Sequence, residues 1–218
     1  MIHASWGPSP AVRRSWCRCS EVLIPSPSRR IGALILAAGD SRRMGRPKAL
    51  LPLEDRTFLE VLLGRLSLAG VAPILVVLGD ASEEIQSVAK LSLARVVLNP
   101  EPSRGQLSSI HCGIRALAPD EVDGLFIAPV DTPRIQAATL RRMMEALAGH
   151  PLVVPVFHGR RGHPALFSAN LFPALLGAPL DEGARAVVHA TQDRLELPCD
   201  DPAVLEDFDA PGDLARLE

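Results

Sequence analysis

The sequence predicts an α/β protein with a doubly wound, mostly parallel sheet, folded as a single domain. Three observations predict it. Short apolar runs recur along the chain, amphipathic stretches of helical length separate them, and polar and charged clusters gather just after the runs. Such alternation builds right-handed β-α-β crossovers, and ligands then collect at the carboxyl ends of the strands.

Each element follows from its residues. Residues 31–36 form an apolar run ending in small side chains, which suits a strand buried on both faces. Residues 73–78, 95–98, 124–128 and 152–157 repeat the pattern and supply four more strands. Between them, residues 57–69, 82–90, 108–117 and 136–148 have the length and apolar spacing of helices packed on a sheet. A further helix is expected after Asp181, and a short terminal one after Asp209.

Composition bounds the rest. With 218 residues, 47% hydrophobic and 22% charged, the chain can bury a full α/β core. No apolar run approaches the roughly eighteen residues of a membrane span, so no membrane role is expected and the cytoplasm is the expected compartment. The net charge of −2 divides unevenly: residues 1–30 carry five arginines against Glu21, a local +4 that leaves −6 for the body. An acidic body excludes a broad nucleic-acid surface. Residues 1–29, with both tryptophans and four prolines but no helical or strand period, read as a disordered extension or a misassigned start. Cys17, Cys19, Cys112 and Cys199 form no Cys-x-x-Cys pair, so zinc and disulfides are not expected.

The most informative segment follows the first strand: Leu36-Ala37-Ala38-Gly39-Asp40-Ser41-Arg42-Arg43-Met44-Gly45-Arg46-Pro47-Lys48. Small residues at the strand end let a base or phosphate approach the backbone. Arg42, Arg43, Arg46 and Lys48 then place four positive charges within seven residues around Gly45, which makes an anion cradle. Lys48 is one of only two lysines, in a chain whose usual cation is arginine, as befits a compact charge aimed at phosphate oxygens. A Walker loop and a dinucleotide fingerprint are both absent.

Other candidates also follow strands. Asp131, between Pro129 and Pro133, ends the fourth strand and offers a hard oxygen to Mg²⁺, with helix capping as the alternative. Asp209, preceded by Asp207, is a second candidate metal ligand or a helix cap. In the loop after the third strand, Gly105, Ser108 and Ser109 are candidates to read base or ribose. After the fifth strand, Arg160, Arg161 and His163 form a candidate acceptor-phosphate site, which Arg185 is placed to join.

From about Arg30 to Glu218 these residues resemble the molybdenum cofactor nucleotidyltransferases. Residues 36–53 resemble the superfamily signature Leu-Ala-Ala-Gly-x-Ser-x-Arg-Met-Gly-x-x-Lys. Gly162-His163-Pro164 and Asp207-Phe208-Asp209-Ala210-Pro211-Gly212-Asp213-Leu214 resemble its late motifs. The resemblance implies a Rossmann-like sheet of the GT-A-like nucleotidyltransferase type over residues 30–218. It also implies nucleotide contact by Leu36, Ala37, Ala38 and Gly39, triphosphate contact by Arg43 and Lys48, and Mg²⁺ on Asp131 and Asp209. The family's metal motif is often Gly-Asp-Met-Pro, and here Pro129-Val130-Asp131-Thr132-Pro133 keeps the aspartate. Ala37-Ala38-Gly39 resembles the cytidylyl branch and implies CTP, whereas guanylyl relatives usually show Ala-Gly-Gly. The implied acceptor is molybdopterin, with a molybdoenzyme or maturation protein as a further partner. GTP, another phosphorylated acceptor, or nucleotide binding without turnover are the alternatives.

Overall fold

The structure, a computed structural model, describes residues 29–39 and 45–208. The chain builds β1 (Ile31–Ala37), the hairpin β2 (Pro52–Leu53) and β3 (Arg56–Thr57), α1 (Phe58–Ala69), β4 (Ile74–Leu78), α2 (Ser82–Val88) and β5 (Arg95–Leu98). It continues through α3 (Gln106–Arg115), β6 (Gly124–Pro129), α4 (Ala137–Ala146), β7 (Leu152–Phe157), β8 (Arg160–Arg161) and β9 (Ala165–Ser168). It then forms α5 (Phe172–Gly177), α6 (Ala184–Ala190) and β10 (Leu195–Pro198). All five predicted strands and the four predicted helices between them are present, with ends moved by at most two residues.

The main sheet runs β10-β7-β9-β6-β1-β4-β5, and β8 pairs with β7. β4, β1 and β6 are parallel neighbours, while β9 is antiparallel to both β6 and β7. Strand alternation divides β1 between two cores. Ala33, Ile35 and Ala37 pack with Leu59, Leu62, Leu66, Leu140 and Met143 of α1 and α4, and Leu34 and Leu36 pack with Leu107, Ile110 and Ile114 of α3. A strand apolar on both faces is thereby buried on both, as its composition requires.

The order of connections locates the cleft. From β1 the chain passes to β4 and β5 on one side, and from β6 to β7 on the other. The switch point lies between the carboxyl ends of β1 and β6, where Leu36 is in register with Pro129.

A third, smaller cluster of Leu51, Leu53, Phe58, Val61 and Phe208 ties the β2–β3 hairpin to the late chain. Its centre is the edge-to-face pair of Phe58 and Phe208, with ring centroids 5.1 Å apart. This cluster brings the segment before Phe208 to the cleft. α1 starts from a capping box: Thr57 accepts from the Glu60 backbone N–H, and the Glu60 carboxylate accepts from Thr57 N–H. Among the described residues no helix is long and apolar enough to cross a membrane.

Candidate active site

At the carboxyl end of β1, Ala37 and Ala38 are buried, and among the described residues nothing lies within 4 Å of a Cβ placed on Gly39. A Cβ on Gly79, just after β4, would lie 2.9 Å from the Ala38 carbonyl oxygen and 3.1 Å from Pro102 Cβ. Only glycine permits that approach, and it sets the loop after β5 beside Ala38.

Lys48 opens a single 3₁₀ turn, Lys48–Leu50, whose Ala49 and Leu50 are buried. Its ammonium donates to Asp131 Oδ2 at 2.9 Å and lies 3.8 Å from Asp207 Oδ1. Asp131 follows β6, where Val130 N–H donates to the Leu36 carbonyl and Thr132 turns back onto Pro129. The ammonium thus joins three chain segments brought together by β1, β6 and the Phe58–Phe208 contact. Asp207 is the carboxylate that the sequence reading placed beside its metal candidate without assigning it the role. Asp209 and Arg43 lie outside the described residues.

The N-cap of α4 is Gln136, with no side-chain cap hydrogen bond. The buried Asp201 accepts from Gln136 N–H and Thr139 Oγ1, both at 2.9 Å, so Asp131 is not needed there. Among the described residues no group of three or more His, Cys, Asp or Glu is arranged to hold a metal. Two carboxylates bridged by a cation are nevertheless a donor set that suits Mg²⁺, which commonly takes one or two protein carboxylates and completes its shell with water and substrate phosphates.

The loop after β5 is tightly organised. Asn99 is buried, and its amide donates to Ser108 Oγ and Ser109 Oγ at 2.8 and 2.9 Å. Ser108 and Ser109 are therefore turned inward, and Ser108 spends its proton on the Gly105 carbonyl. Gly105, at φ 90°, ψ 176°, begins α3 in a conformation that favours glycine. The sequence reading missed Asn99 as the hub of this network. The available signal was a lone amide at a strand's carboxyl end, directly before a proline.

On the other side of the cleft, the four predicted acceptor residues separate. His163 N–H donates to the Val204 carbonyl at 2.7 Å. Solvent reaches its ring, yet the protein packed around it pushes the imidazole pKa below the usual range, while the Asp131 carboxylate acts in the opposite sense. His163 and Asp131 thus belong to one electrostatic neighbourhood. Arg161 donates through Nε to Glu196 at 2.8 Å, a pairing that holds the Glu196 carboxyl below its usual range. Arg160 and Arg185 are exposed.

A separate cavity of about 390 Å³ lies between the hairpin, α1 and residues 202–206. Its arginines, Arg56, Arg65 and Arg134, are matched by Glu54, Asp201 and Glu206, so it has no excess positive charge for a triphosphate.

With this geometry in place, comparison with known proteins is decisive for the family. Residues 33–195 match the MobA-like NTP transferase domain. The chain belongs to that family. It is 36% identical to a molybdenum cofactor guanylyltransferase of Cereibacter sphaeroides, over 87% of this chain and 96% of that protein. It is 26% identical to the molybdenum cofactor cytidylyltransferase of Escherichia coli, over 84% and 93% respectively. A protein named nicotine blue oxidoreductase, from Paenarthrobacter nicotinovorans, is 29% identical over 86% of this chain and 96% of its own length. Among solved structures, Rv0371c of Mycobacterium tuberculosis in complex with manganese superposes with a TM-score of 0.71 at 26% identity, covering 87% of this chain and 98% of that one. The chain is a molybdopterin nucleotidyltransferase-like protein, and both cytidylyl and guanylyl enzymes stand among its relatives.

Proposed function

We propose that this protein transfers CMP from CTP to the phosphate of molybdopterin, with Mg²⁺ as cofactor and pyrophosphate as the second product. One observation carries the reading. The Lys48 ammonium sits between Asp131 and Asp207, and Asp131 follows β6, the parallel neighbour of β1.

In this reading the acceptor phosphate oxygen attacks the α-phosphorus of CTP in line. A P–O–P linkage forms, the bond to the α,β-bridging oxygen breaks, and its electron pair leaves with pyrophosphate. A phosphate monoester is largely dianionic near neutral pH, so no protein base is needed. The chain's work is alignment and charge neutralisation. Lys48 and Arg43 hold the triphosphate and stabilise the leaving group, while Leu36, Ala37, Ala38 and Gly39 pass the nucleotide along their backbone. Gly105 and the turn fixed by Ser108 and Ser109 face the base and ribose. In this reading His163 receives the acceptor, with Arg160, Arg161 and Arg185 as its further candidate contacts. Asp131, with Asp207 or Asp209, holds Mg²⁺, which supplies charge neutralisation on the phosphates.

The Ala37-Ala38-Gly39 sequence, which resembles the cytidylyl branch, supports CTP. The 36% identity to a guanylyltransferase favours GTP as the second reading. A panel of CTP, GTP, ATP and UTP with molybdopterin, read by product mass, decides between them. Cytidylylated pterin is the expected product, and guanylylated pterin would replace the first reading with the second.

A further inference from the structure

The loop between β5 and α3 is held by one side chain that the proposed chemistry does not use. Asn99 is 4% exposed, and all of its hydrogen-bonding capacity within the loop is directed at three neighbours. Its Oδ1 accepts from Glu101 N–H at 2.9 Å, which fixes the sense of the amide, because a backbone N–H cannot donate to an NH₂ group. Both remaining protons go to Ser108 Oγ and Ser109 Oγ. Ser108 closes the circuit by donating to the Gly105 carbonyl at 2.7 Å. At the other end, Asn99 N–H donates to the Leu78 carbonyl at 2.8 Å, which anchors the loop to β4.

The consequence concerns what a nucleotide meets. Ser108 and Ser109, the residues whose type invites base reading, are 8% and 4% exposed and are oriented towards Asn99. The 3₁₀ turn Pro102–Arg104 and Gly105 face outward instead, with Pro102 packed against the Gly79 position next to Ala38. A buried amide engaged through its oxygen and both of its protons, under a loop that borders the end of β1, is an organiser, not a reader.

We infer that Asn99 is the positioning residue of the nucleotide loop. By holding Glu101, Ser108 and Ser109 it shapes residues 100–105, so that backbone groups and not the serine hydroxyls contact the nucleotide. The inference rests on the nucleotidyltransferase reading and deepens it on the nucleotide side.

The test is steady-state kinetics and direct nucleotide titration of the full chain with Mg²⁺, using the triphosphate that the wild type turns over. Asn99→Ala should raise the nucleotide KM about tenfold while kcat and the acceptor KM move less than about threefold. Asn99→Ser, which leaves a hydroxyl in the space, should shift the same constant by a smaller factor and covers the case in which the alanine variant does not fold. Adding Ser109→Ala to Asn99→Ala should cost nothing further, because both act through one network. Overturning results are an unchanged nucleotide KM in a folded Asn99 variant, equal changes in nucleotide and acceptor KM, or multiplicative losses in the double variant. If the wild type itself neither binds nor turns over any nucleoside triphosphate, the proposed function fails; if it does so and Asn99→Ala matches it, only this inference fails.

Discussion

Lys48 Nζ lies 2.9 Å from Asp131 Oδ2, so the loop after β1 and the end of β6 meet through a single ammonium–carboxylate contact. Both side chains are about four-fifths buried, at 18% and 20% exposure, where such a contact is less screened than at an open surface. The pair brings the lysine of the loop after β1 into direct contact with the carboxylate that follows β6. Removal of the cation is therefore expected to disable transfer. Lys48→Met should lower kcat/KM for the nucleotide by about 10²–10³-fold. Pyrophosphate release by a variant with a native circular dichroism spectrum measures this.

Gly162 tests the wall that carries His163. A Cβ there would overlap the Val204 backbone carbonyl, which cannot move aside as a flexible side chain can. Gly162→Ala is expected to cost about 1–3 kcal/mol of stability through overpacking. Urea unfolding, compared at equal m-value, measures it.

Glu60 tests the hairpin side of the site. Burial favours its neutral form, but hydrogen bonds from the Thr57 and Lys90 backbone N–H groups outweigh burial and lower its pKa. The folded state therefore holds this carboxylate charged more strongly than the unfolded chain does. That stabilisation is present above the ordinary value of 4.5 and is lost as pH falls through the lower folded value. Glu60→Ala should cost about 1–2 kcal/mol near neutral pH, as loss of a capping box does, and less in acid. Thermal melts of both proteins across that range check the sign.

His163 gives a dependence of the same sign in a higher pH window. Its imidazole pKa is lowered, so below the ordinary value of 6.5 the unfolded chain takes up a proton that the folded site resists. Stability should fall as pH drops through 6.5 towards the lower folded value, and His163→Gln should lose that part of the slope. Equal slopes in the two proteins would contradict it.

Much of this arrangement was legible in the sequence because it depends on local pattern. β1, β4, β5, β6 and β7 announce themselves as short apolar runs, and the switch point follows from their alternation with helices. Asp131 and Lys48 were legible as types at strand ends, although their contact, across 83 residues of chain, is a product of topology. β9 was not legible. It is only four residues long and antiparallel, and its insertion between β6 and β7 is fixed by pairing that no local period records. The inward turn of Ser108 and Ser109 was equally hidden, because it depends on where Asn99 points. The N-cap of α4 is Gln136, not Asp131, and its N–H is met by Asp201 through a tertiary contact 65 residues away.

The most direct measurement of the central claim is pyrophosphate release by Asp131→Asn, with CTP, Mg²⁺ and molybdopterin, against the wild type. The substitution keeps the size of the side chain while removing the charge that meets Lys48. The expected result is a loss of turnover of about 10²-fold or more with a native melting profile. Near-normal pyrophosphate release by that variant would contradict the assignment of this site.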